Sequence, residues 1–140
     1  MHILIVNGPN LNRLGTREVE IYGTTTLPDI ESRLKKKFPD HEFEFYQSNS
    51  EGAIIDVLQH AAGGAFDGVI INPGAYAHYS YAIRDALSAL RVPVVEVHLT
   101  NVHAREKFRH VSVTASACKG VIVGFGPMSY ELAVRFLVER

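Results

Sequence analysis

The feature that most constrains this chain is a set of short apolar runs, too short for core helices, separated by helix-length stretches. Ile3 to Val6, Glu42 to Gln47, Gly68 to Ile71, Pro93 to His98 and Gly120 to Gly124 are predicted strands. Parallel pairing needs long crossovers, and each gap here is long enough to hold one. Four of the runs are rich in Val and Ile without polar alternation, the pattern of strands covered on both faces. Glu42-Phe43-Glu44-Phe45 alternates instead, which predicts an edge.

The intervening segments carry helix signals. Thr26-Leu27-Pro28 supplies an N-cap and a first-turn proline for a helix reaching Phe38, and Ser50-Glu51 opens another that runs through Ala62 and stops at Gly63-Gly64. Ser80 to Leu90 and Met128 to Val138 complete the set. Helical crossovers of the usual right hand predict an α/β fold, a doubly wound open sheet of five parallel strands with helices on both faces. An alternating second strand at the edge suits the flavodoxin-like order 2-1-3-4-5.

At 140 residues, 46% hydrophobic and 21% charged, the chain is expected to form a single domain. A net charge of -1 gives no basic field for nucleic acid, and no stretch is long and apolar enough to span a bilayer. The opening MHILIVNGPN lacks the basic start and cleavage site of a secretory signal, and the one cysteine, Cys118, cannot form an internal disulfide. Both points lead to a cytoplasmic expectation. Cys118, among small residues, reads as a packed thiol.

In such a sheet, ligands bind beyond the carboxyl ends of the strands. The segments there hold Asn10, Arg13, Arg17, Tyr22, Asn72, His78, His98, Thr100, Arg105 and Arg109. Several arginines converging on one crevice point to an anionic substrate such as a carboxylate, which the guanidinium fork matches. The stretch from about 11 to 25 is long for a strand-to-helix connection and reads as a lid.

His98 ends the run Val94-Val95-Glu96-Val97-His98 at the carboxyl edge of a central strand. It fits an acid-base role and, equally, a buried hydrogen-bonded histidine; Glu96, two residues back on the same face, can orient its ring. A lone loop tyrosine such as Tyr22 more often packs than reacts. His98 and His103 lack the spacing of a zinc site, and Gly124-Phe125-Gly126-Pro127 lacks that of a phosphate loop, so no metal is expected. Lys35-Lys36-Lys37 reads as a solvated helix face.

Several motifs then occur in one order: Asn7-Gly8-Pro9-Asn10-Leu11, Leu14-Gly15-Thr16-Arg17-Glu18, Ile21-Tyr22-Gly23, Gln47-Ser48-Asn49-Ser50-Glu51-Gly52, Asn72-Pro73-Gly74-Ala75-Tyr76, Glu96-Val97-His98 and Asn101-Val102-His103-Ala104-Arg105. Over essentially the whole chain they resemble the type II 3-dehydroquinate dehydratases. The resemblance implies a cofactor-free hydro-lyase of the shikimate pathway that converts 3-dehydroquinate to 3-dehydroshikimate through an enolate. It implies that Tyr22 is the base, His98 the acid, Arg17 the support of the ionised tyrosine, and that Asn10 holds a water against the enolate oxygen. Asn72, His78, Leu99, Thr100 and Arg109 match substrate-binding positions, and Asp85 one that reaches the site across a subunit contact. A homododecamer built from trimers is also implied. Val19 departs from the family's usual proline, which should loosen the lid, and Ala77 and Tyr79 flank His78 where threonines are common.

The chemistry sets its own demand. A tyrosine at an ordinary pKa of ~10 costs about 4 kcal/mol to ionise near neutrality, and one nearby cation recovers ~1 to 3 units. A second arginine is therefore expected beside the phenol, and Arg105 is the candidate. The five lysines, at 35, 36, 37, 107 and 119, include none at the end of an apolar strand, which argues against a Schiff base. Two other readings share the residues: a non-catalytic flavodoxin-like module, and another lyase or hydrolase of a small hydroxy acid. A nucleotide or flavin module has no need of Tyr22, Arg17 and His98, and it would want N–H donors where Asn7-Gly8-Pro9-Asn10 has proline.

Overall fold

The computed structural model describes Met1 to Arg140. Five strands, β1 (His2–Asn7), β2 (Glu42–Gln47), β3 (Gly68–Asn72), β4 (Val94–His98) and β5 (Gly120–Val123), form one parallel sheet in the order β2-β1-β3-β4-β5. The expected topology is the one observed.

Alternation along the central strands divides the core in two. Ile3, Ile5, Ile70, Val95 and Val97 face α2 (Leu27–Lys37) and α5 (Met128–Glu139), packing on Ile30, Leu34, Val134 and Leu137. Leu4, Val6, Val69, Ile71 and Val94 face the other way, against Ile54 and Leu58 of α3 (Glu51–His60) and Ile83 and Leu87 of α4 (Tyr81–Ser88). Burying each such side chain contributes about 1.5 to 3 kcal/mol, so the two-sided sheet is held by many comparable contacts.

The helix starts follow local chemistry. Thr26 and Asp29 form a reciprocal capping box at α2, with Pro28 in the first turn. Ser50 and Ser80 cap α3 and α4 by accepting from Ala53 and Ile83 N–H. The end of α3 widens into a π turn over Ala61–Ala65, where Gly64 takes a positive φ.

Two expectations need correction. The β5 strand is exposed or half-buried along its length, with Val121 facing out, rather than covered on both faces. Its place at the far edge of the sheet explains this, since only β4 pairs with it. The stretch after β1 is also more structured than a loop: a 3₁₀ turn at Leu11–Arg13 precedes a short helix, α1 (Val19–Tyr22). Leu11 and Leu14 are buried in the core on the α2 side, which anchors the first part of this segment.

At the carboxyl edge, the connections after β1 and β3 touch backbone to backbone. Gly8 N–H donates to the Asn72 carbonyl at 2.8 Å. A Cβ at position 8 would lie 2.4 Å from the Pro73 carbonyl oxygen, so no larger residue fits there.

Candidate active site

A crevice at the carboxyl ends of β1, β3 and β4 collects Asn10, Arg17, Tyr22, Asn72, His78, His98, Leu99, Thr100, Arg105 and Arg109 on its wall. These residues come from the ends of β3 and β4 and from the connections that follow β1, β3 and β4. Of the residues singled out from sequence, Arg13 and Asp85 stand apart: exposed Arg13 lies on a neighbouring shallow surface with Arg17 and Glu18, and Asp85, exposed on α4, does not line the crevice within this chain.

Tyr22, at the end of α1, is held between two cations. The Arg17 Nη2 donates to its hydroxyl at 3.3 Å, with the guanidinium carbon 4.2 Å from the ring centroid. The Arg105 guanidinium lies 5.0 Å from the same centroid. Arg105 is itself pinned by Thr100, whose Oγ1 accepts from its Nη1 at 3.1 Å, and its buried Nε makes no hydrogen bond, with Glu106 Oε1 3.8 Å away. That unpaired donor leaves Arg105 with capacity for an acceptor brought into the crevice.

His98 ends β4 with its ring backed by a carboxylate. Its Nε2 lies 2.9 Å from Oε2 of Glu96, which is fully buried. The same oxygen accepts from Ser112 Oγ at 2.8 Å, and Thr114 donates to the other oxygen. Burial pushes the Glu96 carboxyl up, but its bond and charge interaction with His98 and the two hydroxyls outweigh this and hold it below the usual carboxylate range. An ionised carboxylate only accepts, so His98 Nε2 carries a proton and Nδ1 is left for exchange with a ligand.

The turn before α5 braces the same histidine. Gly124 N–H donates to the His98 carbonyl at 3.1 Å and Gly126 N–H to the Leu99 carbonyl at 2.8 Å, while Phe125 N–H reaches Ser129 Oγ at 3.3 Å. These N–H groups are used inside the fold, so the glycine turn supports His98 rather than cradling an anion.

His78 closes the crevice beside His98, their rings 6.3 Å apart and stacked. Its Nδ1 donates to the Val111 carbonyl at 2.8 Å. Burial lowers its pKa, and the charges of His98 and Arg109 push the same way against that carbonyl bond. Neutral His78 therefore offers Nε2 as an acceptor. Asn10 sits in the left-handed region, at φ 67°, with its N–H bonded to Asn49 Oδ1 at 2.9 Å.

Four supporting residues escaped the sequence reading. Asn49 lies in a stretch quoted for its resemblance but was given no role, and Ser112 and Thr114 carry a faint i, i+2 signal in Val111-Ser112-Val113-Thr114. Tyr130, fully buried on the apolar face of α5, offered a clearer clue, because a buried phenol needs a partner.

The sequence model of the class II dehydroquinase family matches residues 1–138. This chain belongs to the class II dehydroquinase family. Its relatives include a 3-dehydroquinate dehydratase of Bacillus cereus (strain G9842), 54% identical over 99% of this chain and 95% of that one. Another, of Bacillus mycoides (strain KBAB4), is 55% identical over the same shares. The crystal structure of a type II dehydroquinase from Butyrivibrio crossotus superimposes with a TM-score of 0.95 at 50% identity, covering 98% of this chain and 97% of that one. A 3-dehydroquinate dehydratase-like protein from Bifidobacterium longum is more distant, with a TM-score of 0.71 at 26% identity over 100% and 99%. For a class II dehydroquinase, the crevice just described is the place to look for the chemistry.

Proposed function

We propose that this chain is a 3-dehydroquinate dehydratase, a hydro-lyase of the shikimate pathway that eliminates water from 3-dehydroquinate to give 3-dehydroshikimate. Full-length similarity to dehydratases of that name supports the activity. The observation that carries the residue assignment is Tyr22 with Arg17 donating to its hydroxyl and Arg105 over its ring, in one crevice with a carboxylate-backed His98.

In this reading Tyr22, ionised in the field of the two arginines, removes the proton α to the ketone. Asn10 holds a water against the enolate oxygen as charge develops there. His98 then delivers a proton from Nδ1 to the departing hydroxyl, while Glu96 stabilises the ring through Nε2. Asn72, His78, Leu99, Thr100 and Arg109 bind the substrate, and no cofactor or metal takes part. Residues 11–25 act as a lid, with Leu11 and Leu14 as its fixed root.

No helix is long and apolar enough to cross a membrane. The protein works in the cytoplasm as a single catalytic domain within a homododecamer of trimers, in which Asp85 of one subunit completes a neighbouring site. Absorbance of the conjugated enone formed from 3-dehydroquinate tests the assignment directly. Turnover by the wild type with its loss in Tyr22→Phe is the expected result; no turnover by the folded wild type overturns it.

A further inference from the structure

Beneath the crevice, three buried polar side chains form a line. Tyr130 Oη lies 2.5 Å from Asn7 Oδ1 and 3.1 Å from Asn72 Nδ2, and Asn72 Oδ1 accepts from the Gly74 N–H at 3.2 Å. Tyr130 is fully buried, and Asn7 and Asn72 are each 3% exposed, so water cannot substitute for a lost partner. The three residues come from α5, the end of β1 and the end of β3.

The direction of every bond follows from one backbone group. The Gly74 N–H can only donate, so the Asn72 atom that meets it is the carbonyl oxygen. The amide nitrogen of Asn72 then faces Tyr130 and gives it one of two protons. The Tyr130 hydroxyl, already accepting there, donates its single proton to Asn7. What remains is the second Asn72 N–H, on a residue that lines the crevice.

We propose that Tyr130 is a positioning residue: the Gly74 N–H sets which end of the Asn72 amide is the oxygen, and the Tyr130 hydroxyl, accepting from Nδ2, holds the amide at a fixed angle so that its second N–H is presented to the substrate. The substrate group at that point is then an acceptor oxygen. Without the Tyr130 hydroxyl, Asn72 keeps its bond to Gly74 but loses the partner that fixes its amide, and the donor is no longer presented at a set angle. This inference rests on the substrate-binding role proposed for Asn72.

The test is a double-mutant cycle on KM and kcat with 3-dehydroquinate, using Tyr130→Phe, Asn72→Ala and the pair, with Tm measured for each. Tyr130→Phe should raise KM by about 3- to 10-fold, the worth of one hydrogen bond, with kcat little changed. In the Asn72→Ala background the same substitution should leave KM unchanged. Asn7→Ala approaches the line from its far end without touching the Tyr130 ring; it should raise KM in the same sense, and it carries the test should Tyr130→Phe fail to fold. An undiminished Tyr130→Phe effect in the Asn72→Ala background, or a fall in Tm with KM unchanged, overturns the inference. An unchanged KM in Asn72→Ala alone refutes instead the role given to Asn72.

Discussion

Arg17 donates from Nη2 to the Tyr22 hydroxyl across 3.3 Å while its guanidinium carbon lies 4.2 Å from the centre of the same ring. Both residues belong to the segment after β1, five positions apart, so this cation and the phenol are neighbours along the chain as well as in space. Arg105 reaches Tyr22 from the connection after β4. The two cations thus reach the phenol from different connections of the chain.

Arg105→Gln is accordingly expected to lower kcat about 10- to 100-fold, the effect of removing one close cation from an ionised base. A raised KM with kcat unchanged would show that Arg105 binds substrate only. Tyr22→Phe should cost at least about 100-fold in kcat at every pH.

Glu96 ties acid stability to the site. Its carboxyl titrates below the usual range when folded, so its contribution is complete above the ordinary carboxylate value and drains away as pH falls through the lower, folded one. Glu96→Gln should cost about 3 kcal/mol at neutral pH, since it removes the charge from a buried pair, and should flatten the acid side of a plot of Tm against pH. A variant as stable as the wild type at pH 7, with the same acid slope, counts against the pairing with His98.

The Cys118 thiol donates to the Thr114 carbonyl at 3.5 Å, and burial, aided by the charge of Glu96, pushes its pKa up to about 12. At pH 8 only about one thiol in ten thousand is then ionised. Ellman's reagent should react slowly with the native protein and rapidly after denaturation. Fast titration of the native thiol would contradict this packing.

Asp85 provides a test of assembly. It is exposed and off the crevice of its own chain, so Asp85→Asn should leave Tm unchanged yet reduce activity where a neighbour's site depends on it. Co-expressed Asp85→Asn and Tyr22→Phe subunits should recover activity above either parent, because some mixed contacts join an intact Tyr22 site to an intact Asp85. Activity no higher than the better parent would remove Asp85 from the site.

Strands and long helices were legible because burial leaves a periodic trace: runs rich in Val and Ile in β1, β3 and β4, alternation in β2, and caps at Thr26, Ser50 and Ser80. The β5 strand misled because Val121 and Ile122 read as covered, whereas exposure depends on a position in the sheet that composition does not record. With four residues, α1 is too short to show a period. The crevice residues could be gathered from the rule that ligands bind at carboxyl ends of strands. The supports could not: Ser112 and Thr114 reach Glu96 from an irregular stretch, and only three dimensions bring them there.

The closeness of Gly8 to Pro73 carries a lesson for redesign. The bare backbone at position 8 acts as a spacer of zero thickness, fixing how far the connection carrying Asn10 stands from the one carrying Asn72. Efforts to admit bulkier acids should therefore vary side chains on the rim and leave position 8 alone. In a saturation library, glycine should be the sole survivor there, even under selection for a different substrate.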